Sequence, residues 1–202
     1  MAPATADLRG PDVPPVVAID GLDGSGKSRF AAALAAALEA SGQPVALVHV
    51  DDFRRPLDFA GLDADQEANL YYERYFDFAA LGQALTAPPG TLVVVEGVML
   101  LRAALPAGTP LVVLEVGLGE ARRRILARDQ AKGRTLDEIT RRIDRRYFPA
   151  QARYRAAHDP LGRADLVIDN DDWERPRLVR RGRIWPELAA AVDRLLRPRA
   201  GM

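Results

Sequence analysis

The sequence predicts an α/β fold in three layers, with helices on both faces of a five-stranded parallel sheet. Along the 202 residues, short and continuously apolar runs alternate with segments of helical periodicity. Strands that are apolar at every position are typical of parallel sheets, because both faces of such a sheet are buried. The sequence shows no internal repeat and no long linker, so residues 16–202 are expected to form a single domain. Residues 1–15 hold four prolines and no apolar stretch, which predicts a short disordered lead.

The individual elements follow from the same patterns. Strands are expected at 16–20, 45–50, 92–96, 111–116 and 166–169. Helices are expected at 27–40, 66–85, 120–131, 136–157 with a break at Pro149, and 186–196. The polar stretch 52–65 and the stretch 175–183, which holds five arginines, are interpreted as surface loops.

Composition excludes several classes of function. Lys+Arg and Asp+Glu are both 28, whereas a general nucleic-acid binder carries a basic excess, so no nucleic-acid partner is expected. The absence of cysteine excludes disulfides and thiol catalysis, and it is compatible with a reducing compartment. No apolar run approaches the roughly 20 residues that span a bilayer, and the N-terminus is not a secretory signal. No membrane association is expected, and the cytoplasm is the predicted location.

The strongest motif lies between the first predicted strand and the first predicted helix. Gly21 to Ser28 fits the phosphate-binding pattern G-x-x-x-x-G-K-[ST] at every fixed position, in the strand–loop–helix context that the pattern requires. Glycines let backbone N–H groups curl toward phosphate oxygens, and the helix N-terminus adds its positive dipole end. Lys27 can reach the β- and γ-phosphates of ATP, and the Ser28 hydroxyl can bind Mg²⁺. The predicted nucleotide contacts are Gly21, Asp23, Gly24, Ser25, Gly26, Lys27, Ser28 and Arg29.

Acidic residues end the next two predicted strands. In a doubly wound sheet the carboxyl ends of the strands form the ligand crevice. Asp51 and Asp52 follow the second strand, where one of them could accept a proton from an attacking hydroxyl or bind magnesium. The alternative is that both only cap the following turn. Glu96 ends the third strand, where an acid can hold Mg²⁺ or its waters, and His49 is interpreted as a packed strand residue.

An arginine-rich stretch departs from the overall charge balance. Between residues 122 and 155 there are twelve Lys/Arg and four Asp/Glu. Phosphoryl transfer needs positive charge over the migrating group, and a hinged helix pair at about 119–150 could deliver it as a lid. The alternative is a solvated basic face, which is the interpretation for most of these arginines, including Arg122, Arg141 and Arg142.

Together these segments resemble the uridine kinase and phosphoribulokinase group of P-loop kinases. The resemblance covers about residues 16–170, and its carrying segments are Gly21 to Ser28, Val50-Asp51-Asp52-Phe53, Val95-Glu96-Gly97-Val98, Arg128-Asp129 with Gly133-Arg134, and Ala164 to Ile168. It implies a P-loop NTPase fold with a short arginine-bearing lid, and it implies that Asp51 is the catalytic base. It also implies that Glu96 helps hold magnesium and that Arg128 and Arg134, with Arg124 as a further candidate, contact phosphates. Members of the group are often oligomeric, so a homo-oligomer is a partner that the resemblance allows.

The acceptor-binding segments differ from those of uridine kinases. The Asn-Phe-Asp-His-Pro stretch and the Tyr-Asp-Phe…His segment of that group are absent, and the span from Asp51 to Glu96 is shorter. The acceptor pocket is therefore expected over residues 52–77, with Asp52, Phe53, Tyr72 and Arg74 as candidate substrate contacts. The expected activity is ATP- and Mg²⁺-dependent phosphorylation of a hydroxyl on a nucleoside or similar metabolite. The alternatives are a nucleoside monophosphate kinase and a nucleotide-binding regulator without transfer activity.

Overall fold

The computed structural model describes residues 15–197, so the predicted disordered lead falls almost wholly outside the described residues. Six strands are present: β1 (Val16–Gly21), β2 (Val45–His49), β3 (Leu92–Glu96), β4 (Leu111–Glu115), β5 (Leu166–Asp169) and β6 (Arg177–Arg181). The α-helices are α1 (Lys27–Glu39), α2 (Ala64–Arg74), α3 (Phe78–Ala84), α4 (Leu118–Gln130), α5 (Leu136–Arg142), α6 (Phe148–His158), α7 (Pro160–Arg163) and α8 (Pro186–Leu196). Short 3₁₀ turns span Val50–Phe53 and Leu100–Arg102, and a π-helical turn spans Ile143–Tyr147.

The strands form one sheet in the order β2-β3-β1-β4-β5-β6. The first five are parallel, as the apolar runs predict, and β6 pairs with β5 in the antiparallel direction. The prediction of five strands therefore missed one strand of the sheet. The missed strand lies in the stretch 175–183, which holds five arginines and was interpreted as a surface loop. An edge strand exposed to solvent carries no apolar run, and backbone pairing with β5 defines it instead.

Two apolar layers cover the sheet. One contains α1 and α8, which pack Leu34 and Leu188 against β1 and β5. The other contains α2, α3, α5 and α6, which pack against the opposite face through residues such as Leu81, Ile139 and Tyr154. This arrangement confirms the predicted three-layer architecture. Among the described residues, no helix is both long and apolar enough to cross a membrane.

Two helical segments differ from the sequence prediction. The helix expected at 66–85 is divided into α2 and α3, because Phe76 forms a bridge with Arg54 and Asp77 caps α3 by accepting a hydrogen bond from the Ala80 N–H. The break expected at Pro149 is absent. Pro149 lies in the first turn of α6, where a missing N–H costs little, and the π-helical turn precedes it.

Candidate active site

The predicted phosphate-binding loop, residues Gly21 to Ser28, joins β1 to α1 at the carboxyl edge of the sheet. Gly24 and Gly26 adopt positive φ angles of 79° and 90°. A Cβ at Gly24 would lie 2.6 Å from the Ala121 carbonyl oxygen, and one at Gly26 would lie 2.7 Å from Asn170 Nδ2. Glycine is therefore required at both positions by conformation and by close approach.

The loop holds its own lysine in place. Lys27 is almost fully buried, and its Nζ donates a hydrogen bond to the Leu22 carbonyl oxygen at 2.7 Å. Asn170, directly after β5, donates from Nδ2 to the Ser25 carbonyl oxygen at 2.6 Å. These contacts keep the loop curled in the form that the motif predicts.

Glu96 approaches the loop from the end of β3. The Ser28 hydroxyl donates to Glu96 Oε1 at 2.9 Å, and His49 Nδ1 lies 2.7 Å from the same oxygen. Gly97 follows, and a Cβ there would come within 2.3 Å of the Val50 side chain. The Glu-Gly pair therefore places a carboxylate beside the loop while β3 packs closely against the turn that carries Asp51.

Asp51 and Asp52 differ in position although they are adjacent in sequence. Both are exposed in the 3₁₀ turn after β2. Asp51 lines the cavity over the loop, and Asp52 is not among the residues that line it.

The cavity has a volume of about 260 Å³ and is open to solvent. It brings together residues from the loop, the ends of β2 and β3, and α4. Its lining consists of Asp23, Gly24, Gly26, Lys27, Ser28, Arg29, Asp51, Glu96, Gly97, Val98, Arg124 and Arg128. The phosphate-binding and acidic elements predicted separately from sequence thus share one space.

The cavity offers two side chains that could hold a magnesium ion bound to a nucleotide. Among residues 15–197 no group of three or more His, Asp or Glu side chains could hold a metal. Mg²⁺ in phosphoryl-transfer sites takes only one or two protein ligands, and substrate phosphates and waters complete its shell. The Ser28 hydroxyl and the Glu96 carboxylate, 2.9 Å apart, fit that requirement.

Two arginines of α4 enter the cavity in different ways. Arg124 is held by protein groups, since it donates to the carbonyl oxygens of Asn170 at 2.8 Å and Asp171 at 2.7 Å and pairs with Glu120. Arg128 contacts Asp129 at 2.7 Å and remains 43% exposed. Arg128 is thus the α4 arginine with more freedom to meet a ligand.

Arg134 and the arginines that follow it have other partners. Arg134 pairs with the buried Asp129 at 2.9 Å and does not line the cavity. Arg141, Arg145 and Arg146 surround Glu67 of α2, which is fully buried. Burial alone would raise the pKa of Glu67, but hydrogen bonds from Arg141 and Arg146 outweigh it and hold the pKa below its ordinary value.

The arginines interpreted as a solvated basic face keep partly exposed side chains, and each of them has a carboxylate partner. Arg141 binds the buried Glu67, Arg142 pairs with Glu138, and Arg122 pairs with Asp144.

Helix α6 contacts the loop and the end of β1 through two side chains that carry no sequence motif. Gln151 accepts from the Asp23 N–H at 3.1 Å and donates to the Asp23 carboxylate at 2.5 Å. The Tyr154 hydroxyl donates to the carboxylate of Asp20, at the end of β1. Burial raises the pKa of Asp20 and also that of Asp23.

The four candidate substrate contacts lie outside the cavity lining. Phe53 packs against the core, and the Tyr72 hydroxyl lies 3.2 Å from His158 Nε2. Asp52 and Arg74 are exposed. The neighbouring rings of Tyr71 and Tyr75 stack at 4.6 Å, which favours a packing role for these aromatics. The acceptor pocket over residues 52–77 remains a prediction.

Sequence reasoning missed His49 as a partner of Glu96, and it missed Asn170 and Gln151. Asn170 could have been found, because it directly follows β5 and so lies at the same sheet edge as Asp51 and Glu96. Gln151 offers no such signal, since only the packing of α6 brings it to the loop.

Two solved structures share this fold. A possible uridine kinase from Bacillus stearothermophilus matches with a TM-score of 0.56 and 21% identity, covering 79% of this chain and 91% of its own. A candidate fructose transport system kinase from Silicibacter sp. TM1040 matches with a TM-score of 0.52 and 26% identity, covering 75% of this chain and 88% of its own. The chain has the fold of the P-loop kinases.

The resemblance predicted from the motifs is thus confirmed at the level of the fold. No protein-family model matches the chain. A comparison with curated proteins likewise finds no match. The two solved structures show the fold that this chain shares with them.

Proposed function

We propose that this protein is an ATP- and Mg²⁺-dependent kinase that phosphorylates a hydroxyl group of a nucleoside or similar small metabolite. The observation that carries the proposal is the shared cavity, in which Lys27 and Ser28 of the loop face Asp51 and Glu96 of the neighbouring strands. A phosphate cradle beside an open carboxylate is the arrangement that transfer to a hydroxyl requires.

Each group has a distinct role in the proposed reaction. The loop backbone and Lys27 bind the phosphates, and Ser28 and Glu96 would hold the magnesium that neutralises phosphate charge. Asp51 accepts the proton of the acceptor hydroxyl while the hydroxyl oxygen bonds to the γ-phosphorus. The bond between the γ-phosphorus and the oxygen that bridges it to the β-phosphate breaks, and ADP leaves. Lys27 and Arg128 stabilise the charge that develops on the transferred group.

The contacts of three arginines bear on the acceptor class. A nucleoside monophosphate kinase would need a second phosphate-binding set of arginines near Arg54, Arg55 or Arg74. Arg55 instead pairs with Asp77 at 2.6 Å, and Arg54 donates to the Asp51 carbonyl oxygen at 2.7 Å. The contacts of Arg54 and Arg55 favour a hydroxyl acceptor, and the exposed Arg74 is the remaining cation that a nucleotide acceptor could use.

ADP release across a panel of nucleosides, nucleoside monophosphates, sugars and pantothenate tests the proposal. We expect at least one hydroxyl compound to stimulate ADP release well above the rate with ATP alone, and Lys27→Ala to remove that stimulation. Stimulation by nucleoside monophosphates only would favour the nucleotide kinase alternative. Tight ATP binding without stimulation by any compound would favour a regulator.

Uridine and cytidine are expected to be poor acceptors, because the pyrimidine-reading segments of uridine kinases are absent. Their kcat/KM should fall below roughly 10⁴ M⁻¹s⁻¹, the lower edge of ordinary enzyme efficiency. A higher value for either compound would show that other residues read the pyrimidine.

A further inference from the structure

His49 is one of two histidines in the chain, and it faces a residue of the proposed magnesium site. It ends β2, and the parallel register of β2 and β3 places it directly opposite Glu96. Its Nδ1 lies 2.7 Å from Glu96 Oε1. An ionised carboxylate can only accept, so Nδ1 carries the hydrogen of this bond.

Glu96 receives both of its hydrogen bonds on the same oxygen. His49 and Ser28 donate to Oε1, and no hydrogen bond from residues 15–197 reaches Oε2. Ser28 uses its hydroxyl hydrogen in this bond, so the lone pairs of its oxygen stay available to a cation. The two donors therefore fix the carboxylate while one carboxylate oxygen and the serine oxygen remain free for a ligand.

A chance surface contact does not account for this pair. The Glu96 side chain is only 6% exposed, whereas His49 is 36% exposed. A carboxylate removed from water needs hydrogen-bond donors, and loss of one leaves a costly unsatisfied group. The backbone register holds the imidazole opposite Glu96 without help from flexible side chains.

We propose that His49 is a positioning residue, which orients the Glu96 carboxylate so that Glu96 and Ser28 together receive the Mg²⁺ bound to ATP. The proposal rests on the proposed function. Partners that orient a metal ligand in this way typically change metal affinity by about 10- to 100-fold when they are replaced. The nucleotide itself is held by the loop, so its metal-free binding should not depend on His49.

The test uses three variants of the full chain. His49→Phe keeps a planar ring and removes the donor, and His49→Leu replaces it if that variant fails to fold. His49→Asn restores a donor, because the asparagine Nδ2 occupies the position of the histidine Nδ1. His158→Leu is the matched control, since His158 is the other histidine and is also hydrogen-bonded, to Tyr72.

Two binding measurements are made for each variant, neither of which needs turnover. One is the affinity for a fluorescent ATP analogue, measured in EDTA and along an Mg²⁺ titration. The other is binding of Mn²⁺ to the protein–nucleotide complex, measured by electron paramagnetic resonance. We expect His49→Phe to raise the Mg²⁺ midpoint and the Mn²⁺ Kd by about 10- to 100-fold. The affinity in EDTA should stay the same, and His49→Asn should recover most of the loss.

Three results would overturn the proposal: unchanged metal midpoints in His49→Phe, an equal shift in His158→Leu, or an equal loss of affinity with and without metal. A failure of the proposed kinase function would give a different set of results. Wild-type protein that binds the Mg²⁺–nucleotide complex but phosphorylates no acceptor would contradict kinase activity, and the metal shift in His49→Phe would still support the positioning role.

Discussion

The phosphate-binding loop and the arginine-rich segment, residues 118–158, both look like phosphate-binding elements in sequence, but they are built differently. The loop carries one lysine, and it is held by its own backbone together with Asn170 and Gln151. In the arginine-rich segment, eleven of the twelve basic residues between 122 and 155 form ion pairs with carboxylates of the protein. Only Arg124 and Arg128 of this segment line the cavity.

The difference shows that a count of basic residues overstates the positive charge that a ligand meets. Glu67 and Asp129 are both fully buried and together bind five arginines. The three arginines on Glu67 therefore link α2 to α5 and to the π-helical turn. Function in the segment should depend on few arginines and stability on many.

Replacing the loop lysine should give the largest effect on activity. Lys27→Ala is expected to lower kcat/KM for ATP by about 10³-fold or more, because a preorganised cation is lost from both bound and transition states. Steady-state kinetics measure this, and thermal unfolding checks that the fold is kept. Near-normal transfer by a folded variant would remove the loop from the proposed site.

Variants of the two adjacent aspartates test which of them is the catalytic base. Asp51→Asn is expected to lower kcat by about 10³-fold, within the range for loss of a general base, with little change in ATP affinity. Asp52→Asn, one residue away and exposed, should change kcat only slightly. The reverse order would move the base to Asp52.

Arg128 and Arg134 form a matched pair because both bind the buried Asp129. Arg128→Ala should lower kcat by about 10²-fold, the effect of losing one donor to the transition state. Arg134→Ala, which removes a comparable ion pair outside the cavity lining, should lower kcat by far less while costing similar stability. Equal losses of kcat would place Arg134 in the lid function that the family resemblance implies.

Glu67 should matter for stability and not for catalysis. Glu67→Gln leaves three arginines without their buried counter-charge, and we expect a loss of about 3 kcal/mol in the free energy of unfolding, measured with urea. Glu73→Gln is the control, since its pair with Arg102 is exposed on the glutamate side and should change little.

The effect of Glu67→Gln on the free energy of unfolding should depend on pH. The pKa of Glu67 is lower in the folded state than its ordinary value of 4.5. Its stabilisation is therefore present above pH 4.5 and is lost as the pH falls through the folded pKa. The stability gap between wild type and Glu67→Gln should narrow in that range, and a gap independent of pH would contradict an ionic role.

The sequence by itself determined the parts of this protein that depend on neighbouring residues. The five apolar strands, helix α1, helix α8 and the loop between Gly21 and Ser28 were all predictable, because burial pattern and glycine placement act over a few residues. Asp51 and Glu96 were placed at one sheet edge by the direction of parallel strands. The edge strand β6 was not predicted, because backbone pairing with β5 forms it and its exposed face has no apolar pattern.

Only the tertiary structure decided what each polar side chain contacts. Arg141, Arg145 and Arg146 lie more than 70 positions from Glu67, and no local pattern connects them. Gln151 reaches Asp23, and His49 reaches Glu96, for the same reason. A charged group stays with whichever partner the packed helices and strands bring within hydrogen-bond distance, because burial makes an unpaired charge too costly to keep.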